Sequence, residues 1–237
     1  MKLTVIIPVY NEIKTLKVLM DKVLDTQIEK QIIVVDDCSN DGSKEEILNH
    51  FKDKIDKFII HDKNMGKGAA IKSAKKYIDG EYVIIQDADL EYDPNQYIVF
   101  MNELKKKKID ALYGSRVLER KKFKRVQNFS HKIRIWGNIF LTFLSNKINN
   151  QNLTDAHTCF KLVKSDIFKS INFRENGFSF CPELNTKLSK LGIKIDEIPI
   201  NYEGRTYNEG KKITAIDGLR AIKTLIKYKY FSDDRYF

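Results

Sequence analysis

Three uncharged runs of apolar, mostly β-branched residues constrain this chain more than any other feature of its sequence. They occupy residues 3–9, 32–35 and 82–85, and a shorter strand is predicted at 58–61. Such runs are typical of strands buried on both faces, as in a parallel sheet. Each long run is followed by polar or acidic residues and then by a helical pattern.

Strand and helix alternate along the first half of the chain, which is the order of parallel βαβ units with right-handed crossovers. A length of 237 residues with this alternation predicts one compact α/β unit with a mostly parallel sheet. Residues 120–152 interrupt the pattern with a basic cluster and several aromatics, so an insertion or a mobile surface segment is predicted there. Helices are predicted over 13–25, after a cap at Ser43, over 66–77, over 94–104 and over 213–231.

Charge is unevenly distributed along the chain. Residues 101–237 hold 28 Lys and Arg against 14 Asp and Glu, whereas residues 1–100 carry a small acidic excess. The basic second half predicts an anionic partner, which leaves nucleic acid, a phosphorylated substrate or an anionic membrane. Three cysteines without zinc-ligand spacing favour a reducing cytoplasm. The longest uncharged stretch has 12 residues, so no spanning helix is predicted.

Acidic side chains recur where the predicted strands end. Ligands of open parallel sheets bind at that edge. Asp87 and Asp89 lie on the same side of an extended segment, because side chains alternate with period two. Paired carboxylate oxygens suit Mg²⁺ or Mn²⁺ together with a diphosphate, and Glu91 continues the period as a third metal ligand. No glycine fingerprint of a dinucleotide oxidoreductase follows the first strand.

Nine motif-like segments occur in order along nearly the whole chain. They are VIIPVYNE (5–12), VVDDCSNDGS (34–43), NMGKGAA (64–70), QDADLEYDP (86–94), YGSR (113–116), LTDAHTCFKL (153–162), FSFCPELNTKL (178–188), EIPINYEGR (197–205) and EGKKI (209–213). Together they resemble family 2 of the inverting glycosyltransferases, closest to the synthases of dolichyl- or polyprenyl-phosphate mannose and glucose. The resemblance implies a single nucleotide-sugar-binding, Rossmann-like domain of the glycosyltransferase A type.

The resemblance divides the chain into a catalytic domain over 1–212 and a C-terminal amphipathic helix and tail over 213–237. The nucleotide-binding half is about 1–115 and the acceptor-side half about 116–212. It also implies which residues bind the nucleotide sugar. They are Pro8, Tyr10 and Glu12 after the first strand, Val35 and Asp37 for base and ribose, Asp87, Ala88 and Asp89 for metal and diphosphate, and Arg205 and Lys211 closing over the diphosphate.

The acceptor side is predicted from the second half of the chain. Arg116 and Arg134 are candidates for holding an acceptor phosphate. Asp155 lies where the family has an acid near the transfer site, and Glu183 is a second carboxylate that can face the acceptor. His157 is interpreted as structural. Asp89, Asp155, Arg116 and Arg205 are thus the predicted catalytic residues.

The leading hypothesis is a metal-dependent transfer of mannose or glucose from GDP-mannose or UDP-glucose to dolichyl or undecaprenyl phosphate. The enzyme alternative is a sugar hydroxyl acceptor in polysaccharide assembly, which requires a general base. Nucleic-acid binding is disfavoured because no recognition motif accompanies the basic residues, and a lectin needs no metal pair. One face of 216–230 is apolar with basic flanks, which predicts a peripheral protein on the cytoplasmic face of an anionic membrane.

Overall fold

The computed structural model describes residues 1–118, 129–205 and 215–232. Seven strands form one sheet in the order β3-β2-β1-β4-β6-β5-β7. Only β6 runs antiparallel to its neighbours; the other pairs are parallel, which confirms the mostly parallel prediction. The strands are β1 (Leu3–Val9), β2 (Lys30–Asp36), β3 (Lys57–Ile60), β4 (Tyr82–Ile85), β5 (Ala111–Ser115), β6 (Lys161–Lys164) and β7 (Ile195–Pro199).

Helices cover both faces of this sheet. They are α1 (Ile13–Asp25), α2 (Ser43–His50), α3 (Lys67–Ala74), α4 (Tyr97–Lys106), α5 (Phe129–Asn149), α6 (Ser165–Ser170), α7 (Phe180–Lys190) and α8 (Ala215–Ile226). A π-helical turn, Lys227–Phe231, continues α8. In the described part of the chain, no helix combines the length and apolar character that crossing a bilayer requires.

Alternation along the central strand explains the two-sided core. Val5 and Ile7 of β1 belong to the apolar cluster that contains α1 and α4. Ile6, between them, belongs to the cluster on the opposite face, with α3 and α7. Because successive side chains of a strand point to opposite faces, an unbroken apolar run is what a sheet covered on both sides requires. Strands from both predicted halves share this sheet.

Two local predictions need correction. Ser43 does not cap α2: its hydroxyl donates to Asp41 at 2.6 Å and accepts the Glu12 backbone N–H at 3.0 Å, so it links two loops instead. Most of the predicted insertion at 120–152 is the 21-residue helix α5, which packs against α7 and α8. The basic cluster before it lies outside the described residues.

Glu183 is a structural residue. Its carboxylate accepts the backbone N–H groups of Arg174 and Glu175 at 2.7 and 2.9 Å. It also pairs with Lys187 at 2.9 Å, and both side chains are almost completely buried. The interpretation of Glu183 as an acceptor-facing carboxylate is therefore wrong, because its oxygens fix the loop before α7.

We expect Glu183→Gln to lower the free energy of unfolding by about 3–5 kcal/mol, because it leaves Lys187 as an unpaired buried charge. Urea denaturation of the purified variant measures this. Asp21→Asn is the matched control, since its pair with Lys17 joins side chains that are 49% and 65% exposed, and it should change stability by less than about 0.5 kcal/mol. Equal effects of the two substitutions would contradict this structural role.

Candidate active site

The site lies at the edge of the sheet where the parallel strands β1, β2, β4 and β5 end. The segments that follow these strands, at 10–12, 37–43, 86–91 and 116–118, meet at this edge because parallel strands end on the same side. Since β6 is antiparallel to β4 and β5, the segment that enters it, 153–160, reaches the same edge. This topology brings both predicted halves of the active site together.

Arg205 organises the donor side of the site. Its guanidinium bonds Glu12 at 2.8 Å and Asp89 at 2.7 Å. Its backbone N–H donates to Glu91 at 2.8 Å, and the second Glu91 oxygen accepts the Tyr202 hydroxyl at 2.6 Å. Three acidic side chains and one arginine that the sequence separates widely are thus in direct contact.

Burial and the neighbouring charges of Asp87 and Glu91 raise the pKa of Asp89 to about 7, against the opposing effect of Arg205. Asp87 forms an ion pair with Lys67. Burial alone would lower the pKa of Lys67, but the Asp87 carboxylate holds it well above its usual value. The raised Asp89 pKa thus reflects burial first and the two neighbouring carboxylates second.

The oxygens of Asp87 and Asp89 are hard carboxylate ligands, so the donor set fits a divalent ion such as Mg²⁺ or Mn²⁺. Within the described ranges, no cluster of three or more His, Cys, Asp or Glu side chains is arranged as a metal site. The two oxygens of Glu91 are engaged by Tyr202 and Arg205. Glu91 as a third ligand stays a prediction.

Asp37 fixes the loop that leads into α3. Its carboxylate accepts the N–H groups of Met65 and Gly66 at 2.8 and 2.7 Å and contacts His61 at 2.7 Å. Gly66 has a φ of +94°, and a Cβ on Gly68 would lie 2.5 Å from the Glu175 carbonyl oxygen. The glycines therefore permit a tight turn that directs Lys67 to Asp87.

The other predicted nucleotide residues differ in exposure. Pro8 and Tyr10 are partly exposed near the end of β1, and the Ala88 carbonyl accepts the Thr15 hydroxyl at 2.8 Å. The Val35 side chain is fully buried in the core with α3, so the structure does not support a side-chain contact between Val35 and a nucleotide. Lys211 lies outside the described residues.

The acceptor side is built on a bidentate ion pair. Arg116 donates from Nε and Nη2 to the two oxygens of Asp155 at 2.6 and 2.8 Å. Asp155 is fully buried, and its carboxylate also accepts a hydrogen bond from the Asn138 side-chain amide at 3.1 Å. Although burial opposes ionisation, the Arg116 guanidinium holds the pKa of Asp155 well below its usual range. Arg116 keeps 20% of its side chain exposed.

Tyr202 connects the two sides of the site. The Arg116 guanidinium lies 5.1 Å from the centre of the Tyr202 ring, and the Tyr202 hydroxyl bonds Glu91, which bonds Arg205. Sequence reasoning singled out neither Tyr202 nor Asn138. Tyr202 stands in the EIPINYEGR segment, three residues before Arg205, so that motif was the available signal, whereas Asn138 had none.

His157, interpreted from the sequence as structural, lies two residues after Asp155 in the same loop. Burial lowers its pKa to about 4, and its imidazole bonds the backbone of Leu141 in α5. The ring is therefore neutral at physiological pH. Arg134 belongs to α5, but its side chain lies outside the described part, so its role stays a prediction.

A family model for glycosyl transferase family 2 matches residues 4–171, and the chain belongs to this family. Dolichyl-phosphate beta-glucosyltransferase ALG5A of Trichomonas vaginalis is 29% identical over 245 residues, 97% of this chain and 73% of that protein. Undecaprenyl-phosphate mannosyltransferase of Micrococcus luteus is 25% identical over 226 residues, 92% of this chain and 90% of that protein. The prediction of an enzyme, a hexosyltransferase of family 2, is confirmed.

Solved structures show the same architecture. Glucosyl-3-phosphoglycerate synthase of Mycobacterium tuberculosis, with Mg²⁺ and UDP, has a TM-score of 0.71 at 15% identity over 98% of this chain and 81% of that one. TarS of S. aureus, with UDP-GlcNAc, has a TM-score of 0.60 at 18% identity over 98% and 68%. At these identities the likeness concerns the fold, and it confirms the predicted glycosyltransferase A-type domain.

We expect Mn²⁺ in the presence of UDP or GDP to raise the melting temperature more at pH 7.5 than at pH 5.5. A divalent ion needs the ionised carboxylate, and Asp89 with a pKa of about 7 is protonated at the lower pH. Mn²⁺ affinity should fall about tenfold per pH unit below that pKa. Thermal unfolding and calorimetric titration measure both effects.

Asp89→Asn should lose this response at both pH values. Asp93→Asn is the control from the same loop, because Asp93 is 39% exposed and its carboxylate accepts the Asn95 backbone N–H. An undiminished Mn²⁺ response in Asp89→Asn would remove Asp89 from the metal site.

Proposed function

We propose that this enzyme transfers mannose or glucose from a nucleoside diphosphate sugar, GDP-mannose or UDP-glucose, to the phosphate of a polyprenyl lipid. Two relatives are named for dolichyl-phosphate glucosyl transfer and undecaprenyl-phosphate mannosyl transfer, and they support both the hexose and the acceptor. The observation that carries the acceptor assignment is that the Asp155 carboxylate is held in its ionised form, with both oxygens engaged by Arg116.

Asp155 is poorly suited to act as a general base. Both of its oxygens accept hydrogen bonds from Arg116, and its pKa lies well below the usual range. An efficient base needs a pKa near the working pH. A phosphate monoester has its second ionisation near pH 6, so such an acceptor reaches the site already ionised and needs no base from the protein.

Arg116 is the group proposed to hold the acceptor phosphate. Its pair with Asp155 uses two of the five N–H donors of a guanidinium, and the side chain keeps partial access to solvent. The Asp155 carboxylate fixes the plane of the guanidinium, and the Tyr202 ring supports it from one side. Arg116 is thus preorganised to donate charge-assisted bonds to a phosphate.

On the donor side, Asp87 and Asp89 are proposed to hold the divalent ion. When bound, Mg²⁺ or Mn²⁺ would neutralise charge on the diphosphate. Lys67 and Arg205 already neutralise these carboxylates in part. Both side chains are proposed to interact with the diphosphate as the bond to the sugar breaks, in the manner of cations that stabilise a leaving group.

We further propose that the protein binds peripherally to the cytoplasmic face of a membrane through α8. Ile216, Leu219 and Tyr230 are 59%, 69% and 66% exposed, as the amphipathic pattern requires. Arg220, which flanks this face, is itself 68% exposed. An exposed apolar face with cationic flanks is the arrangement of an interfacial helix.

With a polyprenyl phosphate acceptor, and with Mn²⁺ at a concentration that saturates the metal site at each pH, we expect the transfer rate to rise through about pH 6 and then remain flat. Asp155→Asn should lower the rate by less than about tenfold, since loss of a general base costs about 10²–10⁴-fold. Arg116→Lys, which keeps the charge and loses the bidentate geometry, should raise the acceptor KM. Steady-state kinetics with nucleotide sugars and Mn²⁺ test all three expectations.

Thermal unfolding must show that both variants are folded, because each alters a partly buried ion pair. A free oligosaccharide serves as the competing acceptor. Glycosylation of the oligosaccharide alone, or a collapse of the rate in Asp155→Asn with Arg116→Lys unaffected, would refute the lipid phosphate and favour the hydroxyl alternative.

A further inference from the structure

The helix α5 has two chemically different faces. Its inner face carries polar side chains spaced four residues apart: Asn138, Thr142 and Asn146. Asn138 donates to Asp155 at 3.1 Å, and Thr142 accepts the Ala156 backbone N–H at 3.3 Å. A spacing of four residues aligns side chains on one face of a helix, so this row is a continuous polar stripe.

The inner stripe holds the acceptor-side loop at several points. The Asn146 amide bonds the Leu153 carbonyl at 2.8 Å and accepts the Leu153 N–H at 2.9 Å. His157 bonds the backbone of Leu141. Residues 153–157, which contain Asp155, are therefore fixed to α5 along much of their length. Because Asn138 of α5 bonds Asp155 directly, we expect a displacement of α5 to affect the ion pair that Arg116 forms with Asp155.

The outer face of α5 is apolar and exposed. Trp136 is 71% exposed, Ile139 38%, and Phe140 and Phe143 are each 55% exposed. Helices α5 and α8 pack against each other, and Gly218 of α8 lies near Leu141 of α5. We call the exposed apolar side chains of α5 and α8 the two-helix surface.

An anionic bilayer is the occupant that the charges favour. The described part of α8 and its π-helical turn contains four cationic side chains and one acidic side chain. Arg220 pairs with Asp217 and Lys227 with Glu175, which leaves Lys223 and Lys229 as the cationic excess. Large exposed apolar patches mark interaction sites. Aromatic side chains beside lysines are the composition of segments that lie in the headgroup region of a bilayer.

We propose that the two-helix surface docks on an anionic bilayer and that α5 transmits this contact to the acceptor loop, with Asn138 as a positioning residue for the Asp155–Arg116 pair. This inference rests on the proposed lipid-phosphate function, because it explains how a site on a protein surface is aligned with a phosphate at a membrane. The role that it assigns to α5, a helix that the sequence did not predict, is to hold the acceptor loop and to transmit membrane contact to it.

Vesicle binding tests the docking step without any acceptor. We expect the double variant Phe140→Ser/Phe143→Ser to sediment with phosphatidylglycerol-rich vesicles at least about tenfold more weakly than wild type, with an unchanged melting temperature. The matched control is Ile98→Ser/Val99→Ser, which alters two side chains of α4 that are 41% and 50% exposed and should bind as wild type. Equal binding of both double variants would overturn the docking surface.

Amide hydrogen exchange tests the coupling step. Vesicles should slow exchange at 153–157 in wild type, but not in Asn138→Ala, which still sediments. In kinetics with vesicle-borne polyprenyl phosphate, Asn138→Ala should raise the acceptor KM and leave the donor KM unchanged. Unchanged exchange at 153–157 on vesicle binding would overturn the coupling. Transfer to oligosaccharide alone would instead refute the proposed function, while sedimentation and exchange still decide the docking and coupling.

Discussion

Charge neutralisation at one edge of the sheet is the constraint on which the rest of this structure depends. The parallel topology brings Glu12, Asp87, Asp89 and Glu91 together, and carboxylates this close repel one another. Arg205 and Lys67 offset that repulsion by direct contact. Two cations against four carboxylates leave this compensation incomplete, and burial together with the neighbouring carboxylates raises the pKa of Asp89. A further cation would bind favourably under that condition.

A different balance governs the acceptor side. Asp155 is fully buried, but its pair with Arg116 is bidentate and supported by Asn138, so it stays ionised. The pKa of Asp89 is thus raised while that of Asp155 is lowered, at the same edge of one sheet. Tyr202 joins the two regions because it contacts Arg116 through its ring and Glu91 through its hydroxyl. The side chains of the predicted donor and acceptor regions are therefore in contact with one another through Tyr202.

The sequence predicted a strand or helix correctly wherever a single local pattern of residues was enough to determine it. The unbroken apolar runs predicted β1, β2 and β4, because only strands covered on both faces tolerate them. The helix over 13–25 begins and ends where its pattern indicated. The helix α5 was missed because its outer face is apolar and exposed while its inner face is partly polar, which reverses the usual amphipathic rule.

The sequence by itself determined the family, the strand ends and the acidic residues that reach the site, because motifs and hydrophobic periodicity are local properties of the chain. It did not determine the partner of each acid. Only the tertiary structure paired Asp155 with Arg116 and buried Glu183 beside Lys187, and it engaged both oxygens of Glu91. The physical reason is that pairing, burial and pKa depend on contacts between residues distant in sequence, which the packing of helices on the sheet creates.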